Sequence, residues 1–459
     1  LSTFSLDVDT ASYANVRRFL NEGRLPPVDA VRIEEMINYF KYDYPAPRGD
    51  APIGVTTEFA ATPWNPKTRL ALIGVRAAPL RQNGVPARNL TFLLDVSGSM
   101  SPPNRLPLVK TAMLMLVDTL RPQDTVSIVV YAGNSGVVLK PTSGDRKAEI
   151  RQAIERLQAG GSTNGGAGIT LAYELAAANF VKDGVNRVIL ATDGDFNVGV
   201  TSQSELTRLI EQKRETGIFL SVLGVGDHNL QDATMEMLAN KGNGNYGYLD
   251  SIQEARRVLI AEAGATLVTV AKDVKLQVEF NPRFVSAYRL IGYENRLLRR
   301  EDFNNDRIDA GEVGAGHVVT ALYEIVPAGE REPGTDVDPL KYQPQPERPA
   351  VSTNGTELMN VKVRYKAPNG DTSRLLEFPV LNPVPRMTPN IGFAAAVAEF
   401  GMLLRNSDFK GTGTWEQVLS LAREHRGADP DGYRAEFTRL VDVAAALQSR
   451  SSTTSEFRR

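Results

Sequence analysis

The sequence predicts a mixed α/β fold. A doubly wound, Rossmann-like parallel sheet with helices on both faces is inserted in an antiparallel β-sandwich, and helical segments stand at both ends. Three observations predict it. Between residues 88 and 265 short apolar strands alternate with helical stretches, the pattern of a parallel sheet covered on both faces. After Thr266 the apolar period becomes two, as in half-buried antiparallel strands. Strands at 54–77 have no partners of their own, so they are expected to pair with strands beyond 266.

Residues 12–21 carry Val16, Phe19 and Leu20, and after Pro26 and Pro27 the residues Ile33, Met36, Ile37 and Phe40 fall on one helical face. Tyr39, Tyr42 and Tyr44 lead into Pro45 and Pro47, which stop the helix. RLALIGVR, within 54–77, is nearly continuous in apolar residues, as in a buried strand. Strands at 90–94, 125–131, 187–191, 218–224 and 246–249 then alternate with helices at 106–120, 146–158, 168–179, 203–216, 231–240 and 252–263. Period-two runs follow at Val274, Leu276, Val278 and Phe280, at Val319, Ala321, Tyr323 and Ile325, and at Met359, Val361, Val363 and Tyr365. The last run precedes Asn369-Gly370, a hairpin signal. The stretch 327–349 holds six prolines and reads as a loop. Tyr433, Phe437, Leu440, Val441, Ala444 and Leu447 make one apolar helical face. The implied division is a helical extension at 1–50, a sandwich at 51–87 plus 266–385, the α/β unit at 88–265 and a helical region at 386–459.

Composition excludes several functions. A formal net charge of −2, from 52 basic and 54 acidic residues, offers no general basic face for nucleic acid. There is no cysteine, so disulfides, thiolate metal sites and cysteine nucleophiles are ruled out. Three histidines far apart in sequence argue against a multi-histidine metal site. The longest nearly apolar stretch, 391–404, contains Glu399 and is too short to span a bilayer. The chain opens LSTFSLDVDT without an initiator Met, which reads as a mature or trimmed form whose secretion signal or lipid anchor would lie upstream.

One constellation carries chemistry. The strand LTFLL runs into Asp95-Val96-Ser97-Gly98-Ser99 at the carboxyl end of a parallel strand, where α/β sheets bind ligands. Asp95, Ser97 and Ser99 are spaced by two on a tight turn and can face one centre. Gly160-Gly161-Ser162-Thr163-Asn164 adds a hydroxyl, and the strand RVILA ends in Thr192-Asp193-Gly194-Asp195, which adds a carboxylate. An all-oxygen donor set means a hard cation. Neutral hydroxyl ligands leave the ion partly hydrated, which suits Mg²⁺; Mn²⁺ also fits, and Ca²⁺ stays open.

Order and spacing here resemble the metal-ion-dependent adhesion site (MIDAS) of a von Willebrand factor A (VWA) domain, with Asp95, Ser97, Ser99, Thr163 and Asp193 filling all five positions. The flanks FSLDVDTASYANVRRFLNEGRLPPVDAVRIEEMINYF and DFNNDRIDAGEVGAGHVVTALYEI are similar to the matching regions of a bacterial family of the YfbK type, so the resemblance spans the whole chain. The resemblance implies that Ser97 and Ser99 ligate the metal directly. Asp95 and Asp193 would act directly or through water, and Thr163 would join in the ligand-competent state. An Asp or Glu of a partner protein would fill the open position. It also implies a monomeric, non-enzymatic binding module in the bacterial cell envelope, held there by a lipid anchor upstream. A scaffold subunit working with an AAA+ ATPase of the MoxR type is the second reading. A metal-dependent hydrolase is the third: no His or Lys lies in the three loops, and Asp195 is the only candidate base.

Other motifs have plainer readings. The glycine run 160–168 lacks the lysine of a P-loop. Asp95 lacks the second Asp, two residues on, of a haloacid-dehalogenase site, since that position is Ser97. Asp7 and Asp9 are expected in turn and cap contacts. Asp302, Asn304, Asp306 and Asp309 resemble a calcium loop, but Arg307 stands where an EF-hand needs glycine, so a solvated hairpin is expected. His317 is expected to serve a structural hydrogen bond.

Overall fold

The structure, a computed structural model, describes all residues except 7, 81–84, 133–134, 161–164, 195–202, 227–231, 263–267, 294–296, 306–309, 331–354, 369 and 457–459. The chain begins with a strand, β1 (Ser2–Ser5), so the N-terminal extension is not wholly helical as the periodicity suggested. Four residues are too few to show a period. Helices α1 (Ala11–Asn21) and α2 (Ile33–Asn38) follow, and Val16, Leu20, Ile33, Met36, Ile37 and Phe40 are all buried.

Strands β2 (Ile53–Ala61) and β3 (Arg69–Ala77) pair antiparallel. The α/β unit then runs β4 (Arg88–Asp95), α3 (Leu106–Thr119), β5 (Thr125–Tyr131), β6 (Ser135–Ser143), α4 (Lys147–Glu155), α5 (Gly165–Ala178), β7 (Val185–Thr192), α6 (Gln203–Glu215), β8 (Phe219–Val225), α7 (Asp232–Lys241), β9 (Tyr246–Leu249) and α8 (Ile252–Arg256). A π-helical turn, Arg257–Glu262, continues α8. The sheet has the order β6-β5-β4-β7-β8-β9. Its neighbours are parallel except for β6, an antiparallel edge strand that the helix–strand rhythm missed. Val137 and Val138 of β6 are exposed, so this strand lacks the apolar signature of the others.

The chain continues through β10 (Thr269–Phe280), β11 (Val285–Leu290), β12 (Glu312–Gly314), β13 (Val318–Pro327), β14 (Glu357–Lys366) and β15 (Ser373–Leu381). Most of the proline-rich stretch, 331–349, lies outside the described residues. One sheet has the order β1-β10-β14-β15, with β12 also on β10; the other is β11-β13-β3-β2. The early strands therefore pair with late ones: Ile73 of β3 stands opposite Ala321 of β13. Val274, Leu276 and Val278 of the first sheet share a core with Ile73, Val319 and Ala321 of the second. The α/β unit is thus an insertion between strands of this sandwich.

Helices α9 (Pro389–Leu404), α10 (Trp415–Glu424) and α11 (Tyr433–Glu456) close the chain. Thr388 caps α9 by accepting from the Ile391 N–H, and Pro389 takes the first turn, where its missing N–H costs nothing. The first and last helical segments share one core. Phe40, Phe393 and Phe437 meet edge to face at 5.0–5.6 Å, and this core covers Leu70 and Leu72 of β3. Apolar residues on both faces of β3 are therefore needed, which explains the unbroken run RLALIGVR. Gly74 of that strand is required by close approach: a Cβ there would lie 2.4 Å from the Tyr44 ring. Among the described residues no helix is long and apolar enough to cross a membrane.

Glu399 sits in the middle of α9 and is fully buried. Its Oε1 accepts from the Thr414 N–H at 3.0 Å, while Oε2 has no hydrogen-bond partner among the described residues. Burial pushes its carboxyl up to about 7 from an ordinary 4.5, against the Thr414 bond. The folded state therefore holds a proton that the unfolded chain releases, so stability falls as pH rises from 4.5 to 7. Glu399→Gln is expected to remove this decline and to stabilise the chain by about 1–3 kcal/mol at a pH of about 8. Thermal unfolding of both proteins across a pH range of about 5 to 8 checks it.

Candidate metal centre

Strand β4 is buried along nearly all its length and ends at Asp95, where the backbone turns through Val96 and Ser97 into a short 3-10 turn, Gly98–Met100. The turn is held locally. Asp95 Oδ1 accepts from the Ser97 N–H at 2.8 Å, and Asp95 Oδ2 lies 3.4 Å from the Thr192 hydroxyl, which donates to it. Ser97 Oγ and Ser99 Oγ are 2.9 Å apart. Neighbouring strand β7 ends at Thr192, and Asp193 follows. Gly194 then takes a φ of 102°, a backbone conformation that favours glycine.

Asp95, Ser97 and Asp193 are all at most 1% exposed, so two carboxylates lie in one water-poor pocket. Burial raises the Asp95 carboxyl above its ordinary range, and the charge of Asp193 adds to that; the Ser97 bonds oppose it. A site that disfavours its own negative charges gains by holding a cation.

Arg105, just before α3, was not singled out in the sequence. Its Nη1 donates to Asp193 Oδ2 and, at 2.8 Å, to the Ser99 carbonyl. The one available signal was its position at the start of the helix that follows the serine turn. Gly226, after β8, leaves room for this side chain, since a Cβ there would lie 2.5 Å from Arg105 Nε. Arg105 offsets one of the two aspartate charges and braces Asp193 against the serine turn.

The residues fit a divalent cation on two observations. Asp193 Oδ1 is buried and has no hydrogen-bond partner among the described residues. The 2.9 Å separation of the serine hydroxyls matches adjacent ligands of an octahedral ion, whose bonds of about 2.1 Å set an edge of ~3 Å. Among the described residues no three His, Cys, Asp or Glu side chains could hold a metal together, so any ion here depends on hydroxyls.

Thr163 and Asp195 lie outside the described residues. Elements on either side of Thr163 are anchored near the turn: the Gly160 N–H donates to the Val96 carbonyl at 2.7 Å, and α5 packs on β4 and β5. A Cβ at Gly168 of α5 would lie 2.9 Å from Tyr131 Cβ, so glycine permits that approach.

The other acidic motifs serve structure where they are described. Asp9 accepts from the Tyr246 N–H at 2.9 Å and so docks the N-terminal segment on the edge strand β9. Asp302 accepts from the Arg299 N–H at 3.0 Å, and the Lys275 ammonium binds the carbonyls of Asp302 and Asn305. Asp7, Asp306 and Asp309 lie outside the described residues. His317 makes backbone bonds to Gly314 and Ala77.

Comparison with known proteins agrees with this architecture. Residues 89–259 match the von Willebrand factor type A domain, 265–447 match the C-terminal region of uncharacterized protein YfbK, and 1–72 match a family described as von Willebrand factor. The chain is 47% identical to uncharacterized protein YfbK of Escherichia coli strain K12, over 97% of this chain and 78% of that one. It is 27% identical to the voltage-dependent calcium channel subunit alpha-2/delta-2 of Mus musculus, over 52% of this chain and 21% of that one. Among solved structures, a von Willebrand factor type A protein from Catenulispora acidiphila covers 81% of this chain and 87% of its own, at 17% identity and a TM-score of 0.45. VWA families are mostly interaction modules rather than catalysts. By its near full-length identity and its matched domains, the chain belongs to the YfbK family of VWA-domain proteins.

Proposed function

We propose that this protein is a metal-dependent protein-binding module of the bacterial cell envelope. Ser97 and Ser99 hold a Mg²⁺ through their hydroxyls, Asp95 and Asp193 neutralise it, and Thr163 joins when a partner is bound. An Asp or Glu of the partner takes the remaining position. The observation that carries this reading is the buried Asp193 Oδ1, without a hydrogen-bond partner among the described residues, on an aspartate that Arg105 ties to the turn whose two serine hydroxyls stand 2.9 Å apart.

Charge decides the partner's chemistry. Two aspartates balance a dication, but Arg105 already pairs with Asp193. The loaded site is then net positive, which attracts a carboxylate and repels a lysine or arginine. Thr163→Ala should weaken partner binding more than metal binding, because a group engaged mainly in the bound state contributes only to that state.

Affinity capture with the full chain tests the reading, using envelope and cytosolic extracts in Mg²⁺ or EDTA. A partner is expected from the envelope fraction in Mg²⁺, absent in EDTA and reduced with Thr163→Ala. Capture at full strength in EDTA would contradict it and would move the interaction to the sandwich or the helical core.

A further inference from the structure

A cavity of about 520 Å³ lies away from Asp95, toward the opposite end of the α/β sheet. Its floor is formed by Leu90 of β4, Arg187 and Ile189 of β7, and Ser221 and Leu223 of β8. Tyr39 and Tyr42 of the helical core, Gly316 and His317 of the sandwich, and Leu259 of the π-helical turn close it. All three units of the fold therefore contribute walls. Among the lining residues Lys41, Asp43 and Asp431 are exposed and mark its mouth.

Arg187 breaks the local pattern. On β7 the same face carries Val185, Ile189 and Ala191, all within the apolar core under α3 and α8. An alternating strand calls for another apolar residue at 187. Instead a guanidinium stands there, only 3% exposed. It donates from Nη1 to Ser221 Oγ at 2.6 Å, and its buried Nε has no hydrogen-bond partner among the described residues. Among the described residues no carboxylate lies within ion-pair distance of it. Glu312 is the charge that acts on it from farther away, with Oε1 held by the Asn243 amide at 3.1 Å. Burial pushes the guanidinium down to about 10.

A second arginine of the same cavity is in a similar state. Arg76 donates from Nη1 to the Tyr44 carbonyl, and among the described residues its buried Nε has no hydrogen-bond partner and the side chain has no ion pair. The other buried or half-buried charges are occupied. Arg257 pairs with Glu254, Asp9 holds the Tyr246 N–H, Asp429 caps α11 at Arg434 and Ala435, and Arg434 donates to three carbonyls. His317 is held neutral by burial, its imidazole pushed down to about 4.

Leaving a buried cation without an ion pair is costly, and local rules broken at such cost are characteristic of functional or strained sites. The volume is that of a small-molecule pocket. We propose that this cavity binds a small organic anion with an apolar body, its carboxylate or phosphate received by Arg187 and Arg76 and its body lying on Leu90, Ile189 and Leu223. This site is separate from the metal centre and does not depend on the reading given for it.

Calorimetric and thermal-shift titrations of the full chain test the proposal, with decanoate, 4-phenylbutyrate and decyl phosphate as probes and decan-1-ol as the uncharged control. The aliphatic, aromatic and phosphate arms distinguish lipid-derived from other anions. Saturable binding of at least one anion is expected, with none for the alcohol. Arg187→Met should weaken that binding at least tenfold while leaving the ligand-free melting temperature unchanged or higher. Arg76→Gln, at a half-buried position, should weaken it several-fold and serves if the first variant does not fold. No saturable anion binding, equal binding of decan-1-ol, or unchanged affinity in a folded arginine variant would overturn the proposal.

Discussion

Asp95→Asn is expected to abolish the stabilisation of this protein by Mg²⁺ without unfolding it. The asparagine keeps the shape of the aspartate and can still accept from the Ser97 N–H, so the turn is retained. What disappears is a charge in a pocket where burial and Asp193 already disfavour it. In EDTA the variant should be as stable as the parent or slightly more so at neutral pH, because it resembles the protonated form that the pocket favours. In Mg²⁺ the order reverses. At a hundredfold excess over its dissociation constant a ligand stabilises the native state by about 2.7 kcal/mol. The parent should show that gain and the variant none. Affinity should fall by at least about 100-fold, the upper range for losing even a supporting group of a metal site. Melting curves in EDTA and in a Mg²⁺ series measure both effects. An unchanged Mg²⁺ response would remove Asp95 from the site.

The largest loss of stability is expected from Arg17→Met. Arg17, on α1, is 2% exposed and binds Asp250 through Nε and Nη2 at 2.6 and 2.5 Å. It also reaches Glu254 at 2.8 Å, the Tyr39 hydroxyl at 2.9 Å and Glu436 at 3.0 Å. One guanidinium thus ties the N-terminal helix to the α/β unit and to α11. Burial works to raise the Glu254 carboxyl, but Arg257 and Arg17 hold it below its ordinary range; at Asp250 burial wins and the carboxyl is raised. Methionine fills similar volume but leaves two carboxylates buried with less compensation. Breaking a buried ion pair from one side costs about 3–5 kcal/mol. Adding Asp250→Asn should recover part of the loss, because among the described residues Arg17 is its ion-pair partner, whereas Glu254 keeps Arg257. Denaturant unfolding of the single and double variants checks both statements. A loss under about 1 kcal/mol would mean the network behaves like a surface ion pair.

The fold was legible where burial imposes a period. Met359, Val361, Val363 and Tyr365 alternate because one face of β14 meets the sandwich core, and all four are buried. The pairing of β3 with β13 followed from strands otherwise left without partners. The short edge elements were not legible. Four residues of β1 show no period, and β6 exposes its valines, so neither carries an apolar signal. The sharing of one core by the two terminal helical segments was also hidden, since periodicity gives the buried face of a helix but not what covers it. At the candidate metal centre, Asp95, Ser97 and Ser99 were readable because they are adjacent on one turn. Arg105 was not, because its tie to Asp193 spans 88 positions and depends on how β4, β7 and α3 meet. Arg187 looked like the ordinary start of a strand, and what sets it apart is that, among the described residues, it has no ion-pair partner in a buried cavity.

Asp95, Ser97, Ser99 and Asp193 are proposed to hold one divalent cation to which a partner's carboxylate binds. Anomalous diffraction from crystals of the full chain grown with Mn²⁺ and acetate tests this most directly. A single strong Mn²⁺ peak is expected beside Ser97 Oγ, Ser99 Oγ and the Asp193 carboxylate, with an acetate oxygen bound to the ion from the solvent side. No peak at these residues, or an ion there fully enclosed by protein oxygens with no place for the acetate, would contradict the account.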